Sequence, residues 1–396
     1  MVSLKRSEDI CSAGTVFVSS CLGRDDIVVA WQKVNVDMLN QAMRIHIKRH
    51  NVIMTFTFRA ITRIFLQHYR LLACVAFFSV AYASPCVAQE TLKAQIPART
   101  ELHPFPSLTL SDAAFLMGQN TGKAVTLAGE FRVAQGAGRL PVVVLVHGSS
   151  GIASNTEVWA RQFNQMGISA FILDSFTGRG LTTVGPDQSQ LGRLNLALDA
   201  YRALEVLASH PRVDPKRIVL MGFSRGGQAT LYASENRFLK AWNRSGLEFA
   251  AYLPFYPDCH TTYQNDTDVA NRPIRILHGS ADDYNPAPPC KAFVERLKIA
   301  GHDAELIEYS GAPHSFDSPL GSTTPTVSQN AQTVRHCRIS EEPTGQLINA
   351  VSGIPFTYAD SCVERNPHVG YEPDAAQAAH RYVGAFLGSL FALKKD

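Results

Sequence analysis

From residue 123 onward the apolar positions form short continuous runs, separated by stretches in which they recur every three or four residues. Residues 123–133, KAVTLAGEFRV, alternate and predict an edge strand. Residues 140–146 are continuously apolar, as expected of a strand buried on both faces of a parallel sheet. An amphipathic helix is predicted over 156–165 and a strand over 168–173. From Leu191 to Leu207 the apolar spacing is helical, which predicts one long helix over 189–209. The strand-length run 218–221 then turns sharply at Gly222-Phe223-Ser224-Arg225-Gly226 and resumes as helix from Gln228. Strands over 248–255 and 273–278, a helix over 287–299, a strand over 304–309 and a helix near 374–391 complete the series. Strands alternating with helices imply an α/β fold, a mostly parallel open sheet with helices on both faces.

The first 88 residues do not fit that alternation. Residues 71–83, LLACVAFFSVAYA, are apolar but too short to span a bilayer comfortably. Arg59, Arg63 and Arg70 precede them, no acidic residue lies between Met54 and Ala88, and small-residue cleavage sites follow at 81–83 and 86–88. Basic, apolar and cleavage regions in that order read as a secretory signal over 54–88, with cleavage expected after Ala88 and Ala83 as second choice. A single N-terminal anchor helix is the competing reading. Residues 1–53 remain unassigned. Because Met54 opens a complete signal, the expectation is that translation starts there and that 1–53 is a misassigned extension.

Composition sharpens this picture in two ways. A hydrophobic content of 45% with 18% charged residues fits a globular chain with a sizeable core. The formal charge of +3 is concentrated in residues 1–88, leaving 27 basic against 29 acidic residues in 89–396. A near-neutral body has no basic face for nucleic acid. The body also keeps four of the eight cysteines, Cys259, Cys290, Cys337 and Cys362. Four cysteines allow three pairings, of which sequence order favours Cys259–Cys290 and Cys337–Cys362, the latter bracketing an insertion over about 319–371. An exported chain favours disulfides, and no Cys/His cluster has metal-ligand spacing, so no metal is expected.

The chemistry centres on the turn after residue 221. A strand, a Gly-x-Ser-x-Gly turn and a helix describe a nucleophile elbow, which holds a serine clear of the sheet with unfavourable backbone angles. Side chains at Gly222 and Gly226 would collide with the neighbouring helix and strand. The helix that follows aims its amides at the place where an oxyanion would form. A serine hydroxyl needs a base held by a third group. Two later strands supply both: one leads into HGSADDYNP (278–286), the other into GAPHSFD (311–317). Each candidate follows the carboxyl end of a strand, where open α/β sheets place their sites.

These motifs, with HGSSG at 147–151, resemble the α/β-hydrolase fold in its dienelactone-hydrolase-like branch, over roughly residues 125–390. The resemblance implies a triad of Ser224, Asp282 and His314. Its Gly-x-x-Asp-x-x-x-Pro acid loop selects Asp282, with Asp283 as second candidate, and its His-x-Phe motif selects His314, with His368 in reserve. It further implies an oxyanion pair made by the amides of Ser149 (or Ser150) and Arg225. In one respect the chain departs from the pattern: dienelactone hydrolase itself uses a cysteine nucleophile, and serine stands here. The resemblance therefore supports the branch and not that substrate.

Other positions carry weaker signals. Arg179, or the Arg225 side chain, could receive a substrate carboxylate, and a structurally paired arginine is the competing reading for each. Tyr256 could line a pocket or simply pack. His147 and His278 read as structural, and His260, His302 and His368 as surface residues. The expected protein is a periplasmic or secreted serine hydrolase. It would act on carboxylic esters or lactones borne by a small molecule or a polymer, without a cofactor and without a membrane span in the mature chain. An amidase or peptidase would use the same triad, but peptidases of this fold commonly carry an accessory domain for which 89–396 leaves no room. A binding module that has lost catalysis usually lacks the serine or the histidine, and both stand here.

Overall fold

A computed structural model describes residues 97–393, all within one compact unit. The expected signal segment and extension lie outside these residues. Strands β1 (Arg99–Thr109) and β2 (Lys123–Val133) flank a short helix α1 (Asp112–Leu116). Then come β3 (Leu140–Val146), α2 (Ser154–Gln165), β4 (Ser169–Asp174), α3 (Asn195–Ala208) and β5 (Val213–Phe223). Helices α4 (Arg225–Tyr232) and α5 (Asn236–Trp242), strands β6 (Tyr252–Phe255), β7 (Thr261–Thr262) and β8 (Ile274–Gly279), helix α6 (Ala287–Ile299) and strand β9 (Ala304–Tyr309) follow. The insertion contributes β10 (Thr326–Val327), β11 (Gln332–Thr333), β12 (Ile339–Glu341), β13 (Leu347–Asn349), β14 (Glu364–Arg365) and β15 (His368–Val369) before α7 (Pro373–Leu390).

Eight strands form one sheet in the order β1-β2-β4-β3-β5-β6-β8-β9. From β4 to β9 every pair is parallel, while β2 runs antiparallel to both of its neighbours. The sheet is thus the mostly parallel one its pattern predicts, with apolar cores on both faces. The central strands are the most apolar: Val142 to Val146 are at most 1% exposed, which is why that run does not alternate.

Three local expectations need correction. Residues 123–133 are not an edge strand, because β1 covers them along their whole length. β1 carries Pro104 and Pro106, which an edge strand with a neighbour on one side only tolerates. The predicted helix over 189–209 is confined to Asn195–Ala208, with only a separate 3-10 turn, Gln188–Gln190, before it. Leu191 and Leu194 are buried nonetheless, so the apolar spacing reports burial beyond the helix itself. The strand predicted over 248–255 is confined to Tyr252–Phe255.

Both favoured disulfides, Cys259–Cys290 and Cys337–Cys362, are present. The first joins the segment after β6 to α6, and the second closes a loop within the insertion. β12 pairs with β7 in parallel and so ties the insertion to the body. No helix among the described residues is long and apolar enough to cross a membrane.

Candidate functional site

β5 ends at Phe223 and α4 begins at Arg225, so Ser224 alone makes the turn, at φ 54° and ψ −114°. A serine holds such angles only when its surroundings over-determine them. The Ser224 amide donates to Phe255 O (3.0 Å) and its carbonyl accepts from the Gln228 amide (2.8 Å). The packing leaves no room for a Cβ on either flank. At Gly222 it would lie 2.2 Å from Gly226 O, and at Gly226 it would lie 2.2 Å from Val146 O.

His314 follows β9 and Asp282 follows β8. His314 Nε2 lies 2.9 Å from Ser224 Oγ, and Nδ1 lies 2.7 Å from Asp282 Oδ2. A carboxylate accepts, so the hydrogen sits on Nδ1 and Nε2 is left to accept from the serine. The other carboxyl oxygen of Asp282 accepts the amides of Tyr284 (2.9 Å) and Asn285 (2.8 Å), which fixes its rotamer. His314 and Asp282 are 2% and 5% exposed, while Ser224 is half-buried at the end of the chain they form. The adjacent Asp283 turns away: it accepts from the His368 amide and from Arg335, and it faces the His368 ring. Asp283 and His368, the reserve candidates, are therefore occupied with each other.

The amides of Ser149 and Arg225 donate no hydrogen bond to any described residue. Ser149 and Arg225 both line the surface around Ser224. Donors left open at that place fit an oxyanion pocket. His147 is a scaffold residue as expected. Its Nε2 accepts the Ser175 amide at 3.1 Å, Nδ1 lies 2.8 Å from Gly148 O, and burial pushes its pKa down, so the ring stays neutral. Burial likewise holds His278 neutral. His260 is not a surface residue: its ring lies 2.9 Å from Asp258 and its side chain is only 7% exposed.

Arg179 does not reach the site. It makes a two-point pair with Asp199 at 2.7 and 2.9 Å, and its remaining donors go to Thr109, Ser175 and Leu108. With its side chain 3% exposed, it ties β1 to α3 and has nothing left to offer a ligand. The Arg225 side chain is buried beside Ser224, where it bonds to Gln188 and to the carbonyls of Leu191 and Gly192. Among the described residues it forms no ion pair. Tyr256 packs its ring edge-on against His314 at 4.7 Å, but its hydroxyl donates to Asp317 at 2.7 Å.

Residues that carried no signal complete the surroundings. The Tyr284 ring lies 4.6 Å from the His314 ring, so two aromatic rings pack against the imidazole. Asp317, three residues past His314, is buried without a cation. Burial pushes its carboxyl up, and donors from Tyr256, Trp159 and Asn155 partly offset that. Two cavities meet at Ser224, of 260 and 30 Å³. Insertion residues line both, Ser328, Val369 and Gly370 the larger, Gln332, Thr333 and Val334 the smaller. The insertion therefore walls the site and does not merely decorate the surface.

A groove of 660 Å³ between α2 and α7 holds neither a nucleophile nor an acid–base pair. Glu101, His103 and His210 bring three possible metal-ligand atoms within 4.8 Å of one another. The His210 Nδ1 already accepts the Arg212 amide at 3.2 Å, so its Nε2 carries the hydrogen that faces Glu101 at 3.0 Å. Hydrogen bonding accounts for that cluster without a metal.

The model of the dienelactone hydrolase family matches residues 128–338. A protein of Yersinia pestis named "Putative carboxymethylenebutenolidase" is 28% identical over 202 residues, which is 46% of this chain and 71% of that protein. A protein of the same name in Escherichia coli K12 is 26% identical over 205 residues, or 47% and 71%. Among solved structures, a dienelactone hydrolase-like promiscuous phosphotriesterase from metagenomic libraries covers 73% of this chain and 98% of its own, at 17% identity and a TM-score of 0.46.

Proposed function

Since the chain belongs to the dienelactone hydrolase family, we propose that it is an exported serine hydrolase that cleaves carboxylic esters through an acyl-enzyme on Ser224. The observation that carries this reading is the continuous hydrogen-bonded chain Asp282–His314–Ser224, ending on a serine held at φ 54°.

In the proposed reaction Ser224 Oγ attacks the acyl carbon while His314 Nε2 takes its proton. Asp282 keeps the imidazole in the required tautomer and stabilises its charged form. The carbonyl oxygen becomes an oxyanion facing the Ser149 and Arg225 amides, whose N–H dipoles stabilise the charge as it develops. His314 then passes its proton to the departing alcohol oxygen. A water molecule, deprotonated by the same ring, attacks the acyl-enzyme and releases the acid. The rings of Tyr256 and Tyr284 confine the imidazole throughout, so its two nitrogens stay directed at Ser224 and Asp282.

Export is proposed on two grounds: the secretory pattern of residues 54–88 and the two disulfides, which persist in oxidising compartments. An amidase would use the same groups, and leaving-group chemistry separates the two. The test is turnover of p-nitrophenyl acetate against acetyl p-nitroanilide, beside the Ser224→Ala variant. Ester turnover that depends on Ser224, with the anilide far slower, supports the reading. Preferential anilide cleavage would replace it with the amidase reading.

A further inference from the structure

The two cavities at Ser224 differ in size and in what faces them, and acyl-transfer geometry assigns each a role. A leaving alcohol must lie on the side of the group that protonates it, so the 260 Å³ cavity, which includes His314, takes the leaving group. With the carbonyl oxygen directed at the Ser149 and Arg225 amides, the acyl substituent is left with the 30 Å³ cavity, which His314 does not line. That volume holds about two water molecules.

The wall of this smaller cavity is built by the insertion and held firmly. Thr333 Oγ1 donates to Tyr284 O at 2.6 Å, and the Gln188 amide donates to Gln332 Oε1 at 2.8 Å. The Cys337 amide closes a turn onto Val334 O at 2.8 Å, and Cys337 is itself bonded to Cys362. Val334 is therefore a fixed stop, and not a side chain free to swing away. The same cavity is lined by Arg225, Gln228 and Asp258, with Gln228 donating to Asp258 at 3.0 Å and Asp258 paired to Arg193. An alkyl chain long enough to pass Val334 would have to lie against buried charged groups, which is costly in addition to being crowded.

We infer that Ser224 accepts acyl groups no larger than acetyl, with Val334 of the insertion as the residue that sets the limit. This rests on the serine-esterase reading given above. In the acyl step the ester C–O bond breaks and the bond from Ser224 Oγ to the acetyl carbon forms. The serine proton passes through His314 to the alcohol, and water then returns the enzyme and yields acetate.

The experiment measures kcat/KM for p-nitrophenyl acetate, propionate, butyrate and hexanoate with the whole oxidised chain and with Val334→Ala, beside fluorophosphonate labelling. The expected result is a fall of about tenfold or more already from acetate to propionate in the natural protein, with butyrate lower still, and a butyrate-to-acetate ratio raised about threefold or more in Val334→Ala. Butyrate or hexanoate turned over as well as acetate by the natural protein would overturn the inference while leaving the esterase reading intact. A steep acyl preference that Val334→Ala does not alter would overturn the role of Val334. No ester turnover and no label on Ser224 would overturn the esterase reading, and this inference with it.

Discussion

Ser224 carries backbone angles that a serine avoids, and the cost is tolerable only because β5, β6 and α4 fix the turn around it. Its removal should therefore leave a folded, inactive protein. Ser224→Ala and His314→Ala are expected to reduce ester kcat by about 10⁴-fold or more with the melting temperature little changed. Asp282→Asn should cost about 10⁴-fold, because the amide would favour the wrong imidazole tautomer. Arg179 gives a contrasting prediction. Arg179→Ala strands Asp199 without its cation in the interior and should cost about 3–5 kcal/mol of stability while KM stays unchanged. Thermal melts beside a substrate titration separate the two effects. Ser224 is legible in the sequence because a strand, a glycine-flanked turn and a helix surround it. Asp282 and His314 stand on loops after strands and are singled out there only by the family resemblance of their motifs. For Arg179 the sequence leaves a substrate-binding and a structurally paired reading open. It cannot name the partner, because Asp199 is one acidic residue among many until α3 packs beside β1. Tyr284 and Asp317 escaped for the same reason: their roles arise from what the fold brings near them.

At the scale of the element, the turn works because glycines let β5, α4 and β3 approach closely. Gly226→Ala would put a methyl group 2.2 Å from Val146 O, against backbone that cannot yield cheaply. A loss of about 1–3 kcal/mol or more is expected, read as a lowered denaturant midpoint with activity falling in parallel. Continuous apolar runs marked the central strands correctly because burial on both faces leaves no polar position to confuse the pattern. β1 went unpredicted, and the start of α3 was hidden by buried leucines that precede the helix. The insertion is the element about which the sequence said least. Its strands are two or three residues long, too short for any periodicity. Cys337 and Cys362 close a loop 25 residues apart in sequence, which by chain entropy alone is worth about 3 kcal/mol. Cys337→Ser/Cys362→Ser should lower stability by that order, and it should also loosen acyl selectivity, since Val334 depends on the same turn.

For the whole molecule, the parallel sheet collects the ends of β5, β8 and β9 at one edge, and the insertion is laid against that edge. One buried group there contributes to the response to acid. Burial pushes the Asp258 carboxyl up, but Arg193 and the bonds from His260 outweigh it and hold it well below the usual carboxylate range. A carboxyl held lower in the folded state than in the unfolded one contributes stability that is fully present above the unfolded value, about 3.9. That contribution is lost as pH falls from there toward the lowered native value. Stability against urea should therefore drop on acidification below about pH 4, and Asp258→Asn should flatten that drop while lowering stability at neutral pH. Export has its own check: the form recovered outside the cytoplasm should begin at Gln89 with no free thiol in 89–396. The central claim is that Ser224 is the nucleophile of a hydrolytic triad, and covalent labelling tests it most directly. The oxidised chain from Gln89 is treated with a fluorophosphonate and the adduct is located by peptide mass, beside His314→Ala. One adduct is expected, on Ser224, with labelling slowed by orders of magnitude in the variant. A folded protein that takes up no label, or takes it up at another serine, would contradict it.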